Sequence, residues 1–204
     1  MLDLQTLIFK FGLPGLPLSF IIVFQLLPDE KIPDITLLTL ALSLLVGYIV
    51  QQMWFFIFEI SSWSYNNKKR KVLVWLKDDL ISNKKNALLR KKWNINENNL
   101  SGDKLYSIWE SIVYRSDETK LAIDKLRGFW NYFHSNMAIF IGLLLGILAY
   151  FIFNVDWSPW VPGGFAICAI VLFSKALQSK RIVDELERNW AEEFVNKEVK
   201  KIGK

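Results

Sequence analysis

Cysteine and histidine are almost missing from this chain: Cys168 and His134 stand alone among 204 residues. A single cysteine rules out an intrachain disulfide or a cysteine-based metal site. With one cysteine and one histidine, a transition-metal centre would have to draw on carboxylates, and these show no suitable spacing. No Walker loop, dinucleotide fingerprint or serine or cysteine nucleophile arrangement occurs either. The chain is therefore expected to carry no metal and no cofactor. Residues Met1 to Gln5 contain no cation, and no small-x-small cleavage site follows the first apolar run, so that run is expected to be retained rather than removed as a leader.

What the chain has in abundance is apolar residues: 52% of the total, with nine Trp and fifteen Phe. Most fall in four stretches, Phe11 to Leu27, Ile35 to Ile60, Met137 to Val155 and Val161 to Leu177. A bilayer core is crossed by about 20 apolar residues, and a backbone in contact with lipid must be helical. Fifteen of the 25 Lys and Arg lie between Trp63 and Met137, and eight lie from Lys175 onward. The short connections Pro28 to Asp34 and Asn154 to Pro159 hold only Lys31. By the positive-inside rule the middle segment, the tail and the N-terminus all face the cytoplasm.

The expected fold is thus an all-α integral membrane protein. Four transmembrane helices form two hairpins, and the middle segment and C-terminal tail form a cytoplasmic helical bundle. The expected parts are 1–63, 64–136, 137–177 and 178–204. The Lys- and Asn-rich composition points to a prokaryotic inner (plasma) membrane. The first stretch is the irregular one, because Gly12-Leu13-Pro14-Gly15-Leu16-Pro17 interrupts a helix. It is read either as a short span from about Leu13 or as a segment that re-enters without crossing. Beyond it, Val72, Trp75, Leu76 and Leu80, then Leu105, Ile108, Trp109 and Ile112, then Val183, Leu186, Trp190 and Phe194 fall at helical spacing. Ser101 or Asp103 is placed to cap the helix after an Asn-rich loop. One helix is expected to run unbroken from about Leu121 to Val155.

Four groups are candidates for function. Ala138, Gly142, Gly146 and Ala149 form a small-residue ridge that lets two backbones approach, within one chain or between copies in a homo-oligomer. Gln51, Gln52 and Glu59 either line a polar path or mark the cytoplasmic end of the second span. Lys68, Lys69, Arg70 and Lys71 fit topology enforcement, anionic headgroups of the lipid bilayer or a cytoplasmic protein partner, and nucleic acid is the least favoured ligand. The run Arg127-Gly-Phe-Trp-Asn-Tyr-Phe-His134 resembles the Arg-x4-6-His motif of HEPN ribonucleases. That resemblance implies RNA cleavage by paired subunits, with the histidine and arginine assisting proton transfer and phosphate binding. Gly128 departs from the polar residue often found there. Small membrane proteins of bacterial antiviral defence have a similar layout. The leading expectation is a non-enzymatic oligomeric membrane protein, a pore-forming or membrane-permeabilising effector gated by its cytoplasmic helices. The alternatives are a scaffold or regulatory anchor for a cytoplasmic partner, and a HEPN-like RNA-cleaving accessory.

Overall fold

The computed structural model describes residues 8–26, 32–61, 71–95, 100–114, 120–154 and 160–202. Among them there are helices and no strand. A π-helical turn, Ile8–Gly12, leads into α1 (Leu13–Leu26). There follow α2 (Ile32–Ile60), α3 (Lys71–Ser82), α4 (Ala87–Lys92), α5 (Gly102–Tyr114), α6 (Lys120–Ile152) and α7 (Trp160–Ile202). Lys68, Lys69 and Arg70 lie outside the described residues. Three helices are long and apolar enough to cross a membrane, within Thr36–Ile60, Asp124–Ile152 and Trp160–Lys201; the first apolar stretch gives a shorter helix, Lys10–Gln25. Its 14 α-helical residues reach only about 21 Å at 1.5 Å per residue.

The chain divides into two compact units: Met1–Ile57 with Asn131–Ser179, and Phe58–Trp130 with Lys180–Lys204. In the first, the irregular Gly/Pro segment becomes the seam of the packing. Pro14 and Pro17 have no N–H to donate to the carbonyls four residues earlier, and the chain before them takes a π turn instead of a regular α-turn. The seam packs on α2 backbone to backbone, with the Phe11 and Tyr48 rings 5.9 Å apart beside it. A Cβ on Gly47 would sit 1.5 Å from the Phe11 carbonyl oxygen, and one on Gly15 would sit 2.0 Å from the Ser43 carbonyl oxygen. The pairings 11 with 47 and 15 with 43 make α1 and α2 antiparallel.

On its other side α1 lies parallel to α6. A Cβ on Gly142 would meet the Pro14 carbonyl oxygen at 1.9 Å, and one on Gly146 would meet Pro17 Cβ at 2.8 Å. Further along, Ile21 clusters with Ala149 and Tyr150, and Gln25 Nε2 donates to the Phe153 carbonyl at 3.2 Å. Between α6 and α7, Phe165 lies against Gly146 and the rings of Phe140 and Phe173 are 5.1 Å apart, an antiparallel pairing.

The second unit has its own apolar core. Val72, Leu73, Leu76 and Leu80 of α3, Leu89 of α4, and Leu105, Ile108 and Trp109 of α5 enclose Ala191 and Val195 of α7. The tail's expected stripe is rotated: Leu186, Trp190 and Phe194 are half-buried, and the line Val183, Glu187, Ala191, Val195 is the buried one. Small Ala191 lets α7 approach closely, so bulky Trp190 moves to the flank, edge-on to Trp109 at 6.3 Å. Arg90 donates to the Leu80 and Ile81 carbonyls and so ends α3. Ser101 Oγ accepts from the Lys104 N–H at 3.2 Å, the cap expected for α5. Lys92 pairs with Glu198 at 3.0 Å and fastens the tail to α4.

Two glycines predict opposite outcomes. Gly47→Ala drives a methyl into the Phe11 carbonyl and is expected to destabilise by about 1–3 kcal/mol, as other overpacked sites do. At Gly128 nothing lies within 4 Å of a Cβ. Gly128→Ala is therefore expected to stabilise by about 0.5–1 kcal/mol through helix propensity. Thermal unfolding of the purified full chain, each variant against wild type, checks both signs.

Candidate functional site

Charged side chains with long stems normally stay in water, and α7 breaks this rule at three positions on one face. Lys180, Asp184 and Glu187 follow helical spacing and point into the second unit, with Glu187 fully buried. A buried charge is stable only where partners replace its water. Here Asp184 accepts from Lys180, one turn earlier, and from Lys71 of α3 at 3.3 Å. The Lys180 ammonium also lies 5.2 Å from the ring centre of Trp130, a cation–π contact. The Trp130 indole N–H donates to Glu187 Oε1 at 3.3 Å, and Phe58 stands edge-on to the same indole. The network Lys71–Asp184–Lys180–Trp130–Glu187 thus ties α3, α6 and α7 together.

Beside it opens a cavity of about 380 Å³, for which Asp184 supplies part of the wall. Sequence reasoning singled out none of these α7 charges. The one signal that could have found them is Ala191, a small residue in register with Asp184 and Glu187 inside a charged helix. Among the described residues no group of His, Cys, Asp and Glu is arranged to hold a metal ion.

The candidates read from the sequence are placed as follows. Gly142 and Gly146 face Pro14 and Pro17 of the same chain, and Ala138 and Ala149 are buried on α6. Gln51 is buried, and its Oε1 has no hydrogen-bond partner; the hydroxyls of Ser19 and Thr39 are in the same condition. Gln52 and Glu59 are exposed. Of the basic run, Lys71 is described and joins the network. Arg127 is exposed and pairs with Asp124 at 3.8 Å. His134 is buried; its Nδ1 accepts from the Trp54 indole N–H at 3.0 Å, and its ring touches Phe55 and Phe133. An indole N–H only donates, so Nδ1 carries no proton and the ring proton belongs on Nε2. The arrangement holds His134 as an acceptor in a buried contact between α2 and α6.

No protein-family model, curated protein or solved structure matches the chain.

The Trp54–His134 bond predicts non-additive energetics. Trp54→Phe and His134→Phe each remove one partner of a buried bond and are each expected to cost about 1–3 kcal/mol. The double variant is expected to cost less than their sum. Chemical denaturation of the four proteins closes this cycle, and strict additivity would remove the bond as a determinant of helix pairing.

Proposed function

We propose that the chain is a four-span anchor of the inner (plasma) membrane, with both termini cytoplasmic. Its second unit is held on the cytoplasmic side as a docking module for a protein partner, without enzymatic activity of its own. The observation that carries this reading is where the large apolar side chains lie exposed. Among the described residues all but three of them (Ile60, Val74 and Leu88) belong to the first unit, including Leu37, Phe56, Phe151 and Ile170. A water-soluble surface rarely leaves so much apolar area uncovered, whereas acyl chains cover it at no cost. The parallel seating of α1 on α6 supports four crossings, since it carries the short first helix in the same direction as a full-length one. The cation distribution supports the orientation. Assembly of several copies would have to use a surface other than the Gly142–Gly146 ridge, which α1 covers.

Ser101→Cys and Asp29→Cys, each in a Cys168→Ser background, test this reading in intact cells with a membrane-impermeant maleimide. Position 29 is expected to label from outside and position 101 only after permeabilisation, and alkaline washing should leave the chain in the membrane fraction. Labelling of position 101 from outside, or release by alkali, removes the reading.

A second reading, permeation, draws on the unpartnered buried groups Ser19 Oγ, Thr39 Oγ1 and Gln51 Oε1. Thr39, Ser43 and Gln51 form a polar file along the buried face of α2, with Ser19 buried on α1, and waters could add the missing hydrogen bonds. If the file conducts, potassium efflux from liposomes containing the full chain is expected, and Thr39→Val with Gln51→Leu should abolish it. Wild-type liposomes as tight as protein-free ones would end that reading.

A further inference from the structure

The cavity of about 380 Å³ in the second unit is lined by Lys71, Trp75, Arg181, Asp184, Glu185 and Arg188. This volume lies within the roughly 300–1,000 Å³ typical of small-molecule sites. Its charges are not balanced among themselves. Asp184 is already neutralised from two sides, by Lys71 and by Lys180, which stands behind the wall. Among the described residues Arg181 and Arg188 form no ion pair or hydrogen bond, although Glu185 stands between them on α7. They are seven residues apart, so two turns of helix aim both guanidinium groups from one face. Exposed guanidinium forks without a protein partner among the described residues, beside an ammonium that a buried carboxylate holds in place, suit an anion. An arginine fork matches the oxygens of a phosphate better than a lysine point charge does. Half-buried Trp75 adds a flat apolar wall suited to the carbon skeleton attached to such a group.

We propose that this cavity binds a phosphate monoester, with Arg181 and Arg188 gripping its oxygens, Lys71 supplying further positive charge and Trp75 packing against the esterified carbons. Two sources carry that chemistry: the headgroup of phosphatidic acid and a soluble phosphorylated metabolite. Sequence position is compatible with the first, because Lys71 closes a basic run and Arg181 follows the last apolar stretch by four residues. Only the lipid source rests on the membrane-anchor reading. Alkaline release would end that reading and leave phosphate binding to be decided separately.

The test is isothermal titration calorimetry of the full chain in neutral detergent. The probes are glycerol 3-phosphate, dihexanoyl phosphatidic acid and, as a zwitterionic control, dihexanoyl phosphatidylcholine. At least one phosphate monoester is expected to bind near one to one, and the double variant Arg181→Gln/Arg188→Gln should weaken it about tenfold or more. Glu185→Gln removes the one uncompensated carboxylate of the wall and should tighten binding by up to about fivefold, an effect that misfolding would not give. Lys197→Gln/Lys201→Gln removes the same charge from the exposed end of the tail and should change nothing. Comparable affinity for glycerol 3-phosphate assigns a soluble ester, and binding of phosphatidic acid alone assigns a headgroup. The proposal is overturned if neither monoester binds better than phosphatidylcholine. It is equally overturned if the Lys197/Lys201 pair weakens binding as much as the arginine pair, since the attraction is then only net charge.

Discussion

The first unit depends on bare backbone meeting bare backbone at α1. Gly47 and Gly15 admit the Phe11 and Ser43 carbonyls on one side, and Gly142 and Gly146 admit Pro14 and Pro17 on the other. Backbones this close gain dispersion contact and weak Cα–H···O contacts along the whole crossing. A helix of 14 residues has few side chains with which to compete for a place. Its place comes instead from the closeness that four glycines allow. The prolines that weaken α1 as an isolated helix are also what fill the grooves left by Gly142 and Gly146.

The second unit solves a different problem. Its core is ordinary in composition, rich in Leu, Val and Trp, yet next to that core it buries Asp184 and Glu187 and half-buries Lys180. Replacing such a network with apolar residues often costs nothing in stability, whereas removing a single partner is expensive. A network of this kind rewards one alignment of α3, α6 and α7, because a shift of one residue on α7 would strand both carboxylates. It also holds Lys71 at the edge of the cavity, where a free lysine would wander.

Much of this was legible in the residues. The stripes Val72–Leu76–Leu80 and Leu105–Ile108–Trp109 are core positions because period 3.6 leaves one face apolar, and the Ser101 cap follows from the four unpaired N–H groups of any helix start. The long α6 follows from the absence of proline between Leu121 and Val155. Three things escaped. The π turn depends on where prolines remove donors and where a neighbouring glycine accepts the displaced carbonyl, which is a tertiary matter. The tail's register turned on Ala191, since closeness of approach outweighed side-chain bulk. The burial of His134 rests on a donor from Trp54, 80 residues away in the chain.

By itself the sequence determined the helical class, the apolar stretches and the segregation of cations, because each depends on local propensity or summed composition. Tertiary structure alone decided which partner each special residue meets: the glycine ridge on the prolines, His134 on Trp54, and Lys71 and Lys180 on Asp184. Such pairings are set by distances between segments remote in the chain, and no local period encodes them.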